Sequence, residues 1–371
     1  MKIIAITSNT SWYLYNFRKN TILQLVKKNY EVIAISPDDK YSEKLKQLGC
    51  KHINIVIDKN GKNIFVDLWT IISYLNILRK YKPKIILSFT PKCNIYSTLA
   101  ANIIGIRSIN NISGLGSIFI KASFTKYFLR FLYKLSQSKA DVIFFQNSTD
   151  KKIFEKNKIA LNVKKILIPG SGVDLKKFKF SKKKKNKVTK FLLASRLIIE
   201  KGINYYIKSA EILKNKYGNN VEFYLIGLFE KNNPSGIHQD TILDWERKKI
   251  IKFLGSTDRM NKEISKIDCF VLPTFYGEGV PRSLLEAASM GKPIITTNHP
   301  GCKDVVKHNY NGFLVKPRSL EQLTSYMDKF INLPHAHRLK MGKRGSLKMK
   351  KEFDEKIIID KYLGIINKYF E

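Results

Sequence analysis

The chain has 371 residues, 44% of them hydrophobic, with 67 Lys and Arg set against 30 Asp and Glu for a formal net charge of +37. The length exceeds what one core ordinarily holds, so two domains are expected, and the apolar content is that of a packed globular protein. No run of about 18 apolar residues occurs, which excludes a spanning helix of ordinary kind and leaves only peripheral membrane contact; the charge calls for an anionic partner such as phosphate, nucleic acid or anionic lipid, although part of it reads as drift in a composition rich in Lys, Asn, Ile and Tyr.

The opening Met1-Lys2-Ile3-Ile4-Ala5-Ile6-Thr7 reads as a first β-strand and is too short for a signal peptide. Short apolar runs bounded by polar turns then recur at 2–7, 31–36, 53–57, 84–89, 141–146 and 165–169, with helical stretches between them. That alternation predicts parallel strands joined by crossover helices. The run Ser181-Lys182-Lys183-Lys184-Lys185-Asn186-Lys187 breaks the pattern and reads as a solvated linker or loop. Beyond it the alternation restarts at 191–194, 221–226, 250–254, 269–273, 293–297 and 312–315. The expected organisation is α/β, with two doubly wound parallel-sheet domains facing a cleft: residues 1–174, a basic linker 175–188, a second domain 189–352, and a C-terminal helix 353–371. Apolar residues at 357, 358, 362, 365, 366 and 369 give that helix one apolar face for packing back on the body. Four cysteines, Cys50, Cys93, Cys269 and Cys302, lack metal-ligand spacing and are expected to stay reduced in a cytosolic compartment.

Two constellations carry chemistry. In Glu278-Gly279-Val280-Pro281-Arg282-Ser283-Leu284-Leu285-Glu286, Pro281 suits a first helical position, which places Glu278 in the preceding loop and Glu286 about two turns inside the helix. Both carboxylates then flank one ligand, with first-turn N–H groups from Arg282 and Ser283 facing an anion between them, as a sugar nucleotide would require. An ordinary solvent-facing helix with a good start fits the same spacing. Further back, Arg196 and Lys201 follow the strand at 191–194, with Gly202 opening a helix. Two cations and a glycine at a strand-to-helix turn suit a diphosphate; taken alone, surface charge explains them as well.

Together, Arg196-x4-Lys201-Gly202 and Glu278-x7-Glu286 resemble the large retaining glycosyltransferase family 4. Pro169-Gly170-Ser171-Gly172-Val173-Asp174 is similar to that family's turn before its second domain, and Gly291-Lys292-Pro293 to its Gly-x-Pro. The resemblance covers essentially the whole chain and implies a GT-B fold with the nucleotide sugar held mainly by the second domain. It implies that Arg196 and Lys201, with Arg282 and Ser283, meet the donor diphosphate, that Glu286 receives the ribose hydroxyls, and that Glu278, Gly279 and Val280 contact the sugar, Glu278 as the catalytic group. No Asp-x-Asp sits at a strand end, so no metal or other cofactor is expected.

The first domain departs from the family in having no glycine in Thr7-Ser8-Asn9-Thr10-Ser11-Trp12-Tyr13 and no mid-domain histidine; His52, in a predicted strand, reads as structural. Gly114-Leu115-Gly116-Ser117-x-Phe119 resembles the subgroup extending polyprenyl-diphosphate-linked sugars, notably bacterial N-acetylgalactosaminyl transferases of glycan and O-antigen assembly. By that likeness Asn111, Ser113 and Gly114 line the acceptor site, although the glycine pair also fits a plain tight turn. Between 119 and 135 aromatics interleave with Lys121, Lys126, Arg130 and Lys134. Read as a helix, this is either a core-packed element with a basic solvent face or an interfacial helix. A polyprenyl-diphosphate acceptor favours the second, with Lys126, Arg130 and Lys134 meeting acceptor and inner leaflet. The expected partners are thus a UDP-sugar, a polyprenyl-diphosphate-linked acceptor and an anionic membrane surface in the cytoplasm. The alternatives are transfer of a deoxy amino sugar such as N-acetylfucosamine to the same acceptor class, and a basic scaffold without catalysis. Nucleic acid is not expected, because the cations are dispersed and no recognised motif appears.

Overall fold

In the computed structural model, which describes residues 2–58, 64–115, 124–182, 185–230 and 233–371, the chain forms two compact units. One comprises Met1–Ser171 with Lys356–Glu371, the other Gly172–Glu355.

The first unit is built on a seven-stranded sheet in the order β3-β2-β1-β4-β5-β6-β7. Its strands are β1 (Ile3–Thr7), β2 (Glu31–Ile35), β3 (Lys51–Ile53), β4 (Ile85–Ser88), β5 (Arg107–Ile112), β6 (Val142–Phe145) and β7 (Lys164–Leu167). The second unit carries six strands in the order β10-β9-β8-β11-β12-β13: β8 (Thr189–Ala194), β9 (Val221–Ile226), β10 (Lys252–Phe253), β11 (Cys269–Leu272), β12 (Ile294–Thr297) and β13 (Gly312–Val315). Every described pairing within the two sheets is parallel. The near-continuous apolar runs follow from that arrangement, because a parallel sheet is covered by helices on both faces. Ile4 and Ile6 of β1 pack on Leu14, Ile22 and Leu25 of one helix layer, while Ala5 faces Tyr74, Leu78, Cys93 and Tyr133 of the other.

The strand alternation read from the sequence recurs with two differences. The run at 53–57 pairs only through β3, although Ile55 and Ile57 are buried all the same. And β5 appears where no apolar run announced a strand. Its Asn110 and Asn111 are fully buried, and their amides are consumed internally: Asn110 bonds Thr98 and Gln137, while Asn111 donates to the Tyr362 hydroxyl and accepts from Gln146. Satisfied in this way, a polar pair occupies a core strand at little cost.

The C-terminal helix Glu355–Lys368 turns its apolar face to the first unit, where Ile358, Tyr362 and Ile366 join the β1–β2 core. Tyr362 lies edge-on to Phe144 and Phe89, with centroids 4.8 and 6.0 Å away. The second unit begins at Gly172 and takes in the segment read as a linker. Phe178 in that segment is buried, and its carbonyl accepts from Ser289 at 2.7 Å. Tyr362→Ala removes a buried ring and a hydroxyl that Asn111 needs. It is expected to destabilise the first unit by about 3–5 kcal/mol, read as an earlier urea transition for that unit, with the second unit's transition unmoved.

Candidate active site

Where the strand order reverses in an open parallel sheet, two strands' carboxyl ends part and leave a crevice for a ligand. In the second unit this falls between β8 and β11. Arg196, Lys201 and Gly202 follow β8, and Glu278 follows β11, so the two sequence constellations meet at one point.

The turn after β8 is a short 3-10 segment, Ile199–Lys201, ended by Gly202 in a left-handed conformation with φ of 77°. A side chain at Gly202 would overlap the Pro273 carbonyl at the end of β11, so only glycine lets the turn sit that close. The Glu200 carbonyl accepts from the Phe275 N–H at 2.8 Å and the Thr274 hydroxyl at 3.2 Å, which fastens the turn to the β11 loop. Lys201, 7% exposed, is held there with its ammonium against the Glu278 carboxylate in an ion pair. Burial pulls the ammonium below its ordinary pKa, to about 7, and the nearby Arg196 charge adds to the effect. The Glu278 carboxylate acts in the opposite sense. Arg196 is more open; its guanidinium lies 3.9 Å from Glu230 and 5.4 Å from the Tyr276 ring centroid, and the Lys201 ammonium is 5.3 Å from that same ring. Sequence reading missed both Tyr276 and Glu230. Tyr276 was visible as an aromatic two positions before Glu278, whereas nothing in the sequence tied Glu230 to Arg196.

The helix after Glu278 runs from Arg282 to Ser289, with Pro281 as its N-cap. The expectation that Pro281 opens the helix at its first position is corrected by one residue, because its ψ of 118° is extended. Its carbonyl accepts from Leu284 and Leu285. The N–H groups of Arg282 and Ser283 therefore stand at the helix start, where no intrahelical acceptor exists. Glu286 lies one turn on and accepts from Arg282 Nε at 3.0 Å. Burial raises the Glu286 pKa, and Arg282 opposes the rise. Gly279 and Val280 are buried, Val280 inside the unit's core, so it is their backbone that these two residues can offer a ligand. Gly301, in the loop after β12, has φ of 80°, and a side chain there would overlap the Gly279 carbonyl. That loop thus backs the segment carrying Glu278. Cys302 beside it is fully buried, and its thiol is pushed up to about 11 by burial. Among the described residues no group of three or more His, Cys, Asp or Glu is arranged to hold a metal.

In the first unit the equivalent reversal lies between β1 and β4. The Asn9 N–H donates to the Thr90 hydroxyl at 3.1 Å across it, and the Thr10 side chain caps the helix Ser11–Lys27. Ser113 and Gly114, both part-exposed, follow β5, with the Ser113 hydroxyl on the Phe89 carbonyl at 3.3 Å and Gly114 at φ 118°. Asn111 is not beside them as a ligand group, since its buried amide is committed to Tyr362 and Gln146. The helix Phe124–Gln137 carries Arg130, part-exposed, and Lys134, exposed. Residues 116–123, including Gly116, Ser117, Phe119 and Lys121, lie outside the described residues, as does the side chain of Lys126. His52 is structural: it lies in β3 with Nε2 3.1 Å from the Ser11 hydroxyl and Nδ1 3.4 Å from Asp38.

Two units, each built on a parallel sheet, with the charged cluster at the strand-order reversal of the second, have the architecture of a nucleotide-sugar transferase. The model for "Glycosyl transferases group 1" matches residues 174–348, and that for "Glycosyl transferase 4-like" matches 2–147. The chain is a GT4-like, group 1 glycosyltransferase of the GT-B fold. It is 29% identical, over 98% of either chain, to the N,N'-diacetylbacillosaminyl-diphospho-undecaprenol alpha-1,3-N-acetylgalactosaminyltransferase of Campylobacter jejuni. It is 26% identical, over 73% of either chain, to the UDP-Gal:alpha-D-GlcNAc-diphosphoundecaprenol alpha-1,3-galactosyltransferase of Escherichia coli. In fold it is similar to Anabaena HepE, solved with UDP and glucose, with a TM-score of 0.79 at 16% identity over 99% of either chain.

Gly301→Ala forces the 278–280 backbone to move and strains its own. It is expected to lower turnover at least about tenfold, as measured by initial rates, while the first unit's unfolding transition stays where it was.

Proposed function

We propose that the protein transfers an N-acetylhexosamine, N-acetylgalactosamine foremost, from a UDP-sugar to a polyprenyl-diphosphate-linked saccharide at the membrane surface, with retention of configuration and without a divalent metal. The observation that carries this reading is the near full-length likeness to the Campylobacter jejuni transferase, whose acceptor is a diphospho-undecaprenol-linked sugar. The Escherichia coli relative, which acts on the same kind of lipid carrier, takes a UDP-sugar.

The residues of the second unit suit each part of such a donor. The UDP diphosphate takes the place between Lys201 and Arg196, and the N–H groups of Arg282 and Ser283 meet it from the helix start. Glu286 receives the ribose hydroxyls, and its pairing with Arg282 keeps the carboxylate oriented. Glu278, released from Lys201 as the diphosphate takes over that cation, turns to the sugar and stabilises the positive charge that grows at the anomeric carbon. The bond from that carbon to the UDP oxygen breaks, the acceptor hydroxyl oxygen bonds to the carbon on the same face, and the hydroxyl proton passes to the departing phosphate oxygen. Two cations and a helix start carry the leaving-group charge that a metal would otherwise carry. On the acceptor side, Ser113, Gly114 and the basic helix with Lys126, Arg130 and Lys134 serve the lipid-linked diphosphate.

The direct test is transfer from a panel of UDP- and GDP-sugars to a short-chain polyprenyl-diphosphate N-acetylhexosamine with EDTA present. Transfer from a UDP-N-acetylhexosamine is expected; absence of product from every UDP-sugar, with product from a GDP-sugar, would overturn the donor assignment. Glu278→Gln is expected to lose at least about a hundredfold in turnover while UDP affinity changes little, whereas Arg196→Ala weakens UDP binding about tenfold by calorimetry. Lys201 gives a pH signature. An ammonium pulled down to about 7 sheds its proton as pH rises, and the diphosphate then meets one positive charge fewer. UDP affinity is therefore expected to fall between pH 7 and 9, and Lys201→Arg, which cannot deprotonate there, is expected to flatten the profile.

A further inference from the structure

The helix Ile64–Tyr81 of the first unit packs its Tyr74 and Leu78 into the core, yet its opening turns present a second apolar face to water. Phe65 is 84% exposed, Leu68 55%, Trp69 62% and Ile72 37%. Their spacing of i, i+3, i+4 and i+7 stacks them on one side of the helix. Scattered single exposures of this kind are ordinary; four on one face are not. A second stripe, Tyr127, Phe131 and Leu135, is exposed at i, i+4 and i+8 on the helix Phe124–Gln137. Both helices pack against the helix Pro91–Ile103 that lies between them in sequence. Each follows a strand of the same parallel sheet, so their opening turns lie toward the same, carboxyl-end, edge of that sheet.

Charge identifies what covers these stripes. From Leu68 to Ala140 the sequence holds eleven Lys and Arg and not one Asp or Glu. At the chain's overall acidic content several carboxylates would fall in a stretch of this length, so their absence is a property of this region. Asp67, at the edge of the first stripe, is ion-paired with Lys92 of the middle helix at 2.7 Å. Exposed apolar stripes on a segment this rich in cations, with Asp67 neutralised by Lys92, match an anionic bilayer, whose headgroups attract the cations while its acyl boundary takes up the rings. A second copy of this chain matches less well, because it would bring the same positive field against itself.

We infer that Phe65, Leu68, Trp69 and Ile72 insert into the surface of an anionic membrane, with the Tyr127–Phe131–Leu135 stripe as the second point of contact. This deepens the proposed function, on which it rests for the membrane as the place of work, and adds an insertion surface on a helix that the acceptor assignment does not involve. No helix among the described residues is long and apolar enough to cross a bilayer, so the contact is interfacial.

The test uses the full chain and sugar-free vesicles of phosphatidylethanolamine and phosphatidylglycerol, so its outcome is independent of donor, acceptor and turnover. Trp69 fluorescence is isolated as the difference between wild type and Trp69→Phe. On adding vesicles that signal is expected to shift to the blue and to be quenched by lipids brominated near the top of the acyl chain. Replacing Phe65, Leu68, Trp69 and Ile72 together by Ser is expected to weaken vesicle binding about a hundredfold, with the thermal transition kept because none of the four is in the core. Vesicle binding that leaves Trp69 unshifted and unquenched would overturn the inference. So would a lack of vesicle binding accompanied by a concentration-dependent dimer that the four-serine variant abolishes. If UDP-sugar transfer fails while Trp69 still inserts, the functional reading falls and the membrane surface stands.

Discussion

A lysine ammonium and a carboxylate, both largely withdrawn from water, face each other where β8 and β11 part, and the second unit is arranged to keep them there. The Lys201–Glu278 pair joins residues 77 positions apart in sequence. Breaking it by removing one partner leaves the other charge in poor surroundings. An incoming anion that takes over Lys201 meets a different situation, because it supplies a new partner to the cation while freeing the carboxylate for a growing positive charge. On the proposed function, this exchange couples donor binding to the readiness of Glu278.

That pair depends on two close backbone approaches. Gly202 lets the Lys201 turn lie on the Pro273 carbonyl, and Gly301 lets the loop after β12 lie under Gly279. Neither can carry a side chain without moving one of the two charged residues. The cluster of Tyr276 with Arg196 and Lys201 then sets the polar floor on which a diphosphate would rest. The same economy does not extend to the first unit, whose reversal between β1 and β4 is lined by Asn9, Thr10 and Thr90 in place of glycines.

Much of this was legible in the sequence because parallel strands covered on both sides must be apolar runs, and because the spacing of Arg196, Lys201, Glu278 and Glu286 is set by short local elements. What escaped had a different origin. β5 hid because Asn110 and Asn111 look like loop residues, and only distant partners, Gln137, Gln146 and Tyr362, make them tolerable in a core. The same commitment removes Asn111 from any acceptor role. Gly301 and Glu230 gave no signal, since their importance lies in what they touch across the fold. The C-terminal helix showed its apolar face but not its destination on the first unit. Phe65, Leu68, Trp69 and Ile72 share their helix with the core residues Tyr74 and Leu78, and their exposure is visible only once the helix is placed against its neighbours.

The most direct measurement is the structure of the protein with UDP bound. The account predicts the diphosphate in contact with Lys201 and Arg196, the ribose hydroxyls on Glu286, and the Lys201–Glu278 pair opened so that Glu278 faces the sugar position. UDP bound with the Lys201–Glu278 pair still closed, or seated away from the β8–β11 reversal, would contradict it.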